Sequence, residues 1–186
     1  MKLNMGCGHN KQQGYVNVDL SAACKPDVVW DLEQFPWPWH DNSAEVVRFV
    51  HSLEHIGENS KTFLRIIQEL YRICKNGAHI EIRVPHPRHN DFLNDPTHVR
   101  TITPDMFTLF DRQLNDHFKK AGWSNTTLAH YLDVDFVLES HQAILCEPYS
   151  TQLRDGTITQ GDVEAMAREL NNIASEYHIN LRVRKV

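Results

Sequence analysis

The sequence predicts a single α/β domain built on a doubly wound sheet, mostly parallel with an antiparallel last strand. Three observations carry this expectation. An apolar run, Lys2-Leu3-Asn4-Met5, enters the turn Gly6-Cys7-Gly8, and a second, Tyr15-Val16-Asn17-Val18, ends on Asp19; a strand, a glycine turn and a strand ending in an acid open a parallel βαβ unit. Further apolar runs follow at 28–30, 45–50 and 78–84, with helical spacing over 60–74 before the last of them. The chain has 186 residues, 41% of them hydrophobic, which suits one core and is too short for two.

The elements follow in order. After the strand at 28–30 comes Phe35-Pro36-Trp37-Pro38-Trp39, where two prolines forbid a continuing helix and the aromatics pack on the core or over a ligand. Residues 45–50 read as a strand. Over 60–74, Phe63, Ile67, Leu70 and Cys74 fall on one face of a helix, with Gly77 placed to end it in a left-handed conformation. Ala78, Ile80, Ile82 and Val84 then alternate with His79, Glu81 and Arg83, a strand with one face less buried, which Pro85 stops. Thr103-Pro104 opens a helix whose apolar side is Phe107, Phe110 and Leu114, running to Lys119, Lys120 and Gly122. Residues 123–132 and 136–146 read as two strands. A last helix is expected over 162–177, beginning at Asp162 or Thr159 and docked through Val163, Met166, Leu170, Ile173 and Tyr177. In this reading 160–186 is a C-terminal helix and tail, and Arg182, Arg184 and Lys185 form a solvated basic end.

Composition narrows the partners. A net charge of −5 and an isoelectric point near 6.2 argue against nucleic acid, which calls for a concentrated basic face. No apolar run approaches the ~20 residues needed to cross a bilayer, so no membrane insertion is expected. Cys7, Cys24, Cys74 and Cys146 are scattered without C-x-x-C pairing, and the chain starts on a core strand, which fits a reduced, cytoplasmic setting.

The opening segment suggests a ligand. Glycines let a ligand approach the backbone, and a carboxylate at the tip of the next strand accepts hydrogen bonds from both ribose hydroxyls. A dinucleotide would need a third glycine three residues after the second and an acid about 20 residues on, with the pyrophosphate at a helix N-terminus. Here Lys11 holds the third position and Asp19 stands only 13 residues after Gly6. Between the strands there is room for one or two helical turns at most. S-adenosylmethionine, which carries no phosphate, tolerates such a loop; NAD and FAD would lose their main contacts.

Residues 2–85 resemble the class I S-adenosylmethionine-dependent methyltransferases, specifically a small bacterial group with a shortened front end. The matching segments are Leu3-Asn4-Met5-Gly6-Cys7-Gly8, Gly14-Tyr15-Val16-Asn17-Val18-Asp19-Leu20, Asp27-Val28-Val29-Trp30-Asp31-Leu32, Leu53-Glu54-His55-Ile56 and Glu69-Leu70-Tyr71-Arg72-Ile73-Cys74-Lys75-Asn76-Gly77. The resemblance implies a Rossmann-like fold with S-adenosylmethionine as cofactor. Met5, Gly6, Cys7 and Gly8 would lie along its methionine part, Asp19 and Leu20 at the ribose, and Asp31 and Leu32 at the adenine; His51, nearer the crevice, is expected to contact cofactor or substrate and is counted with the cofactor residues. Family members carry a helix before the first strand that covers the cofactor. Met1 already stands at that strand here, so a lid is expected from 86–110, from the C-terminal helix, or from a second copy in a homodimer.

The acceptor side is expected in residues 85–100, which follow the strand whose C-terminal end borders the crevice. His86 and His98 are the candidate bases, Arg100 a bidentate partner for an acidic group, and His89 and Asp95 further acceptor contacts. His86, His89, Asp91, Asp95 and His98 also have the chemistry of metal ligands, but their spacing matches no established signature and no metal is expected. Side-chain to backbone bonds within a proline-rich loop are the plain alternative for each of them. Glu54 and His55 read as capping or packing the turn after the fourth strand. Methyl transfer mainly requires an acceptor held in line with the S–CH₃ bond. The leading expectation is therefore transfer to oxygen or nitrogen of a small-molecule or saccharide-like acceptor. A non-catalytic cofactor-binding subunit is the alternative, and a dinucleotide oxidoreductase is disfavoured by the loop.

Overall fold

The computed structural model describes residues 1–185; Val186, the end of the expected tail, lies outside the described residues. The chain runs β1 (Lys2–Met5), β2 (Val16–Asp19), β3 (Val28–Val29), β4 (Ala44–Val50), α1 (Ser60–Ile73), β5 (Cys74–Pro85), α2 (Asn90–Leu93), α3 (Arg112–Lys120), α4 (Leu128–Leu132), β6 (Phe136–Leu145), α5 (Tyr149–Asp155), α6 (Gln160–Glu169) and β7 (Ala174–Val183). Short 3-10 helices stand at Ala22–Cys24, Leu53–His55 and Pro104–Phe110. One seven-stranded sheet has the order β3-β2-β1-β4-β5-β7-β6. The strands β1 to β5 pair in parallel, and β7 runs antiparallel between β5 and β6. This is the expected α/β sheet with its last strand reversed.

The core lies on one side of that sheet. Leu3, Met5, Val47, Phe49, Ile80, Ile82, Ile179 and Leu181 alternate onto it and form one cluster with Phe63, Ile66, Ile67, Leu70 and Ile73 of α1 and with Phe107 and Phe110. Helix α1 forms there because its apolar residues recur every three to four positions and Asn59 caps it, accepting from the Lys61 amide at 2.8 Å. The other side is polar. Asn17, Asn4, Arg48, Glu81, Asn180 and Ser140 stand in register across six strands. Asn4 donates to Asn17 at 3.0 Å, Arg48 pairs with Glu81 at 2.9 Å, and Asn180 donates to Ser140 at 3.0 Å. Parallel sheets usually bury both faces. Here the β1–β2 connection contains no helix to cover the second face, and hydrogen-bonded pairs take the place of apolar packing.

Four local expectations are corrected. Helix α1 ends at Ile73, and Gly77, with φ +77°, instead serves the register shift where β5 meets β4. The stretch from Thr103 breaks in two: Asp111 interrupts it and caps α3, accepting from the Gln113 and Leu114 amides at 2.8 and 3.1 Å. No strand forms over 123–132. Buried Asn115 accepts from the Ala129 amide at 3.1 Å and holds that segment as α4, with Trp123 and Tyr131 exposed. Helix α6 begins at the expected Thr159–Asp162 capping box but stops at Glu169, and 174–183 is the inserted strand β7.

The basic end is structural. Arg184 grips Asp135 through Nε at 2.6 Å and Nη2 at 2.9 Å, and reaches Asp111 at 3.0 Å. Lys185 donates to the Arg72 carbonyl at 3.2 Å and lies 5.0 Å from the centre of the Tyr71 ring.

A second ion pair fixes the tryptophan loop. Glu69, 2% exposed, accepts from Arg72 Nε at 3.1 Å and Nη2 at 2.8 Å, and from the Trp37 amide at 2.7 Å. Burial pushes the Glu69 carboxyl up, but the bonds from Arg72 and Trp37 outweigh it and hold the group below its ordinary value. A depressed folded-state pKa contributes stability above the unfolded-state value and loses it as pH falls through the folded one. Glu69→Gln should therefore lower stability at pH 7 by about 2–3 kcal/mol, the range for breaking a buried charged network. Its further loss between pH 5 and pH 3 should be smaller than in the wild type. Urea unfolding at the three pH values measures both, and parallel curves would show that Glu69 carries no such linkage.

Candidate functional site

The C-terminal ends of β1, β2, β4 and β5, with the start of antiparallel β7, lie along one edge of the sheet. The order places β2 and β3 to one side of β1 and β5 to the other side of β4, so the loops leaving β1 and β4 diverge. That is the switch point at which open α/β sheets bind ligands.

Gly6 and Gly8 turn the chain out of β1 with φ +66° and +49°. Gly6 is required by space as well: a Cβ there would stand 2.5 Å from Ser52 Cβ. Ser52, which sequence reasoning passed over, is buried and donates from Oγ to the Met5 carbonyl at 2.8 Å, tying the loops after β1 and β4 together. Between them, His51 takes φ +51°. Met5 and Cys7 are buried, and burial pushes the Cys7 thiol up.

Asp19 stands at the tip of β2 and faces the glycine loop. It accepts from the Gly8 amide at 2.7 Å and from the Ser21 amide at 2.8 Å. Each oxygen retains a second lone pair. Leu20 beside it is 68% exposed. Asp31 accepts from the Glu33 amide at 2.8 Å, while Leu32 is buried and its carbonyl accepts from Trp37 Nε1 at 3.0 Å. Met5, Gly6, Cys7, Gly8, Asp19, Leu20 and His51 thus stand at the strand ends and loops along one sheet edge, with Asp31 and Leu32 just beyond β3.

The segment 86–100 divides. Residues 95–100 fold over the turn after β4, where the Val99 and Arg100 amides donate to the Glu54 carbonyl at 3.0 and 3.1 Å. Arg100, expected at an acidic acceptor, is engaged inside the protein. Its Nε and Nη2 donate to the Gly57 carbonyl at 2.8 and 2.6 Å, and its guanidinium lies 4.3 Å from the centre of the Phe63 ring. His89 caps α2 through Nδ1, accepting from the Asp91 amide at 3.1 Å. Asp95 accepts from the Thr97 amide and hydroxyl at 2.8 and 2.6 Å, which holds its carboxyl below the ordinary value.

The two candidate bases differ in tautomer. His86 is 7% exposed, and burial, with His89 and Arg88 nearby, pushes its pKa down. Its Nδ1 accepts from the Arg88 amide at 3.2 Å, so the neutral ring carries its proton on Nε2 and acts as a donor. His98 is the reverse. Its Nδ1 lies 3.0 Å from the Phe92 carbonyl, which can only accept, so Nδ1 donates and Nε2 of the neutral ring keeps a lone pair.

His98 lines a cleft of about 390 Å³ with His51, Glu54, His55, Asp95 and Glu176. His51 Nε2 meets Glu176 at 3.2 Å across it. Glu54, expected only to cap or pack the turn, is 1% exposed, and among the described residues neither carboxylate oxygen has a hydrogen-bond partner. Burial pushes its carboxyl up to about 7, opposed by its own backbone amide and by His98. A second cavity, of about 890 Å³, opens beside His86 and Tyr177, walled by β6, α5 and α6. His86 and His98 therefore line different hollows. Among the described residues no helix is long and apolar enough to cross a membrane.

No protein-family model matches the chain, and no curated protein matches it in sequence. Solved structures share its fold. A SAM-dependent methyltransferase from Archaeoglobus fulgidus superposes with TM-score 0.56 at 19% identity, over 97% of this chain and 85% of that one. A SAM-dependent methyltransferase from Methanosarcina mazei gives 0.53 at 14% identity, over 100% of this chain and 92% of the other. The [4+2]-cyclase SpnF gives 0.54 at 14%, over 100% and 75%. At these identities the likeness is one of fold: a Rossmann-like methyltransferase architecture, on which reaction is decided by the site.

The contact between Gly6 and Ser52 gives a direct test of the switch point. Gly6→Ala should destabilise the protein by about 2 kcal/mol or more, through positive φ and the clash together, against about 1 kcal/mol for Gly8→Ala, where φ alone is at issue. Adding Ser52→Gly to Gly6→Ala should recover part of the loss in a double-mutant cycle of urea unfolding. Equal costs for the two glycines, or a purely additive double variant, would remove the steric account.

Proposed function

We propose that the protein binds S-adenosylmethionine at the loops after β1 and β2 and transfers its methyl group to oxygen or nitrogen of a small-molecule acceptor. The observation that carries this reading is the Asp19 carboxylate held at 2.7 Å on the Gly8 amide at the switch point of the sheet. Its remaining lone pairs suit two vicinal hydroxyls, and the loop offers no helix N-terminus for a pyrophosphate. Likeness of fold to SAM-dependent methyltransferases supports the same cofactor.

In this reading the methionine part lies along Met5, Gly6, Cys7 and Gly8, the ribose at Asp19 and Leu20, and the adenine towards Asp31 and Leu32. His51 separates the cofactor from the acceptor cleft. The sulfonium supplies an activated methyl, so the protein's task is to hold the acceptor in line and exclude water. His98 presents a lone pair on Nε2 to the acceptor side, and His86 presents a donor in the neighbouring cavity. The cleft's carboxylates and imidazoles suit a polar, hydroxyl-bearing acceptor such as a saccharide.

Calorimetric titration tests the cofactor. S-adenosylmethionine and S-adenosylhomocysteine should bind one per chain and NAD should not. Asp19→Ala should weaken both by about 1–3 kcal/mol, the range for losing a charged acceptor. Unchanged affinity in that variant would overturn the ribose assignment, and tighter binding of NAD would overturn the cofactor. Release of S-adenosylhomocysteine with a panel of hydroxyl and amine acceptors tests the transfer, and none with any acceptor would leave a cofactor-binding protein rather than an enzyme.

A further inference from the structure

We propose that Glu54, His55 and His98 form a binding site for a divalent transition-metal ion of the zinc class, at the edge of the acceptor cleft. One potential ligand atom from each residue lies within 4.8 Å of the other two. Ligands of a tetrahedral zinc, with bonds of about 2.0–2.1 Å, stand about 3.4 Å apart. The three side chains need to draw in by about an ångström to close on an ion.

The unpartnered carboxylate of Glu54 is the independent sign of a cation. Buried carboxylates are normally hydrogen-bonded, paired or bound to metal. Glu54 is 1% exposed and lacks a hydrogen-bond partner at either oxygen among the described residues, with His51 Nδ1 standing 3.7 Å from Oε1. Beside it, with Asp95, stand two imidazoles whose free nitrogens are the right donors for a borderline-soft ion.

Both rings are already set for ligation. His98 donates through Nδ1 to the Phe92 carbonyl at 3.0 Å, which leaves Nε2 as the ligand atom. His55 Nδ1 faces the Thr97 carbonyl at 3.2 Å and the Thr97 hydroxyl at 3.0 Å. That hydroxyl spends its own proton on Asp95 at 2.6 Å, so both Thr97 oxygens accept and His55 also keeps its lone pair on Nε2. Metal-binding histidines are commonly held in this way, one ring N–H on a carbonyl or carboxylate-backed group and the other nitrogen on the ion. Phe92 stacks on His98 at 5.2 Å between ring centres and fixes its plane.

Two imidazoles and one carboxylate would leave coordination positions open, and all three residues line the same cleft as His51 and Glu176. An acceptor oxygen bound there would be acidified by the ion, so that ligation of His98 replaces its role as base. That consequence rests on the methyltransferase reading; binding of the ion does not.

EDTA-treated full-length protein titrated with ZnCl2 in a calorimeter should take up one equivalent. Glu54→Gln and His98→Ala should each weaken it at least ten-fold, and His130→Ala, remote and paired with Asp116, should leave it unchanged. The cobalt(II) adduct should show d–d bands without thiolate charge transfer, which separates this site from the four cysteines. Glu54→Gln should keep its melting temperature in EDTA, since the carboxyl it replaces makes no hydrogen bond among the described residues; a fall would mark Glu54 as a structural group and count against the site. Should that variant fail to fold, His98→Ala decides the matter. No zinc uptake by the wild type, wild-type affinity in the variants, or thiolate bands would overturn the proposal. Zinc binding without S-adenosylmethionine binding would overturn only the methyltransferase reading.

Discussion

The close approach of Gly6 to Ser52 is the constraint on which the rest of the site depends. From β1 the chain adds strands outward through β2 and β3, and from β4 it adds them the other way, so the loops at this junction must separate within one or two residues. Gly6 allows it by lacking a Cβ that would stand 2.5 Å from Ser52, and Ser52 Oγ fastens the junction by donating to the Met5 carbonyl at 2.8 Å. His51, at φ +51°, then turns its ring over the edge towards Glu176, and Leu53–His55 follow as a tight 3-10 turn. The glycine loop with Asp19 and the cleft lined by His98 are thus the two sides of a single backbone contact.

A parallel connection without a helix needs another way to hold its loop, and buried Asn17 supplies it. Its Oδ1 accepts from the Gln12 amide at 2.7 Å and from Asn4 at 3.0 Å, and its Nδ2 lies 3.2–3.3 Å from the Gln12 and Tyr15 carbonyls and 2.8 Å from Asp27. One side chain closes the loop on both sides, a task a helix performs with its backbone. The consequence is a polar second face, because no helix brings an apolar stripe to bury it. Charged and amide pairs then satisfy one another across the strands, a weaker but more specific form of cohesion.

What was legible in the sequence was whatever local pattern decides. The opening strands, the helix from Ser60 and the Thr159–Asp162 cap rest on apolar spacing, glycines and caps, and each is found where those signals put it. What was not legible was set by distant partners. The apolar residues over 123–132 suit a strand, yet Asn115 draws the Ala129 amide into a helix. Ile173 and Tyr177 continue the spacing of α6, yet Asn172 turns the chain at φ +61° and Ile179, Leu181 and Val183 alternate as a buried strand. That alternation was the available signal, with Asn180 and Arg182 between its apolar members. For the site, the glycine loop and its acid could be placed from order alone. The pairing of Arg100 with Gly57 could not, since it depends on a segment folding back over a turn more than forty residues earlier.

Glu54 shows how stability and function pull apart at this edge. Its carbonyl serves the fold, accepting from Val99 and Arg100 and so bringing residues 95–100 over the turn. Its side chain does the opposite: a buried carboxyl without a hydrogen-bond partner among the described residues carries a desolvation cost that an apolar residue of similar size would not. The backbone role would be met by any residue at this position, so it cannot account for an acid there. A buried acid flanked by two imidazoles whose outward nitrogens are already tied down is instead an arrangement that gains its stability from a ligand. The polar lining of the cleft follows from the same logic, because the segment that carries His98 and Asp95 is held by backbone bonds to Glu54 while Asp95 is tied to Thr97 and His98 to the Phe92 carbonyl, which leaves His98 Nε2 outside any hydrogen bond among the described residues.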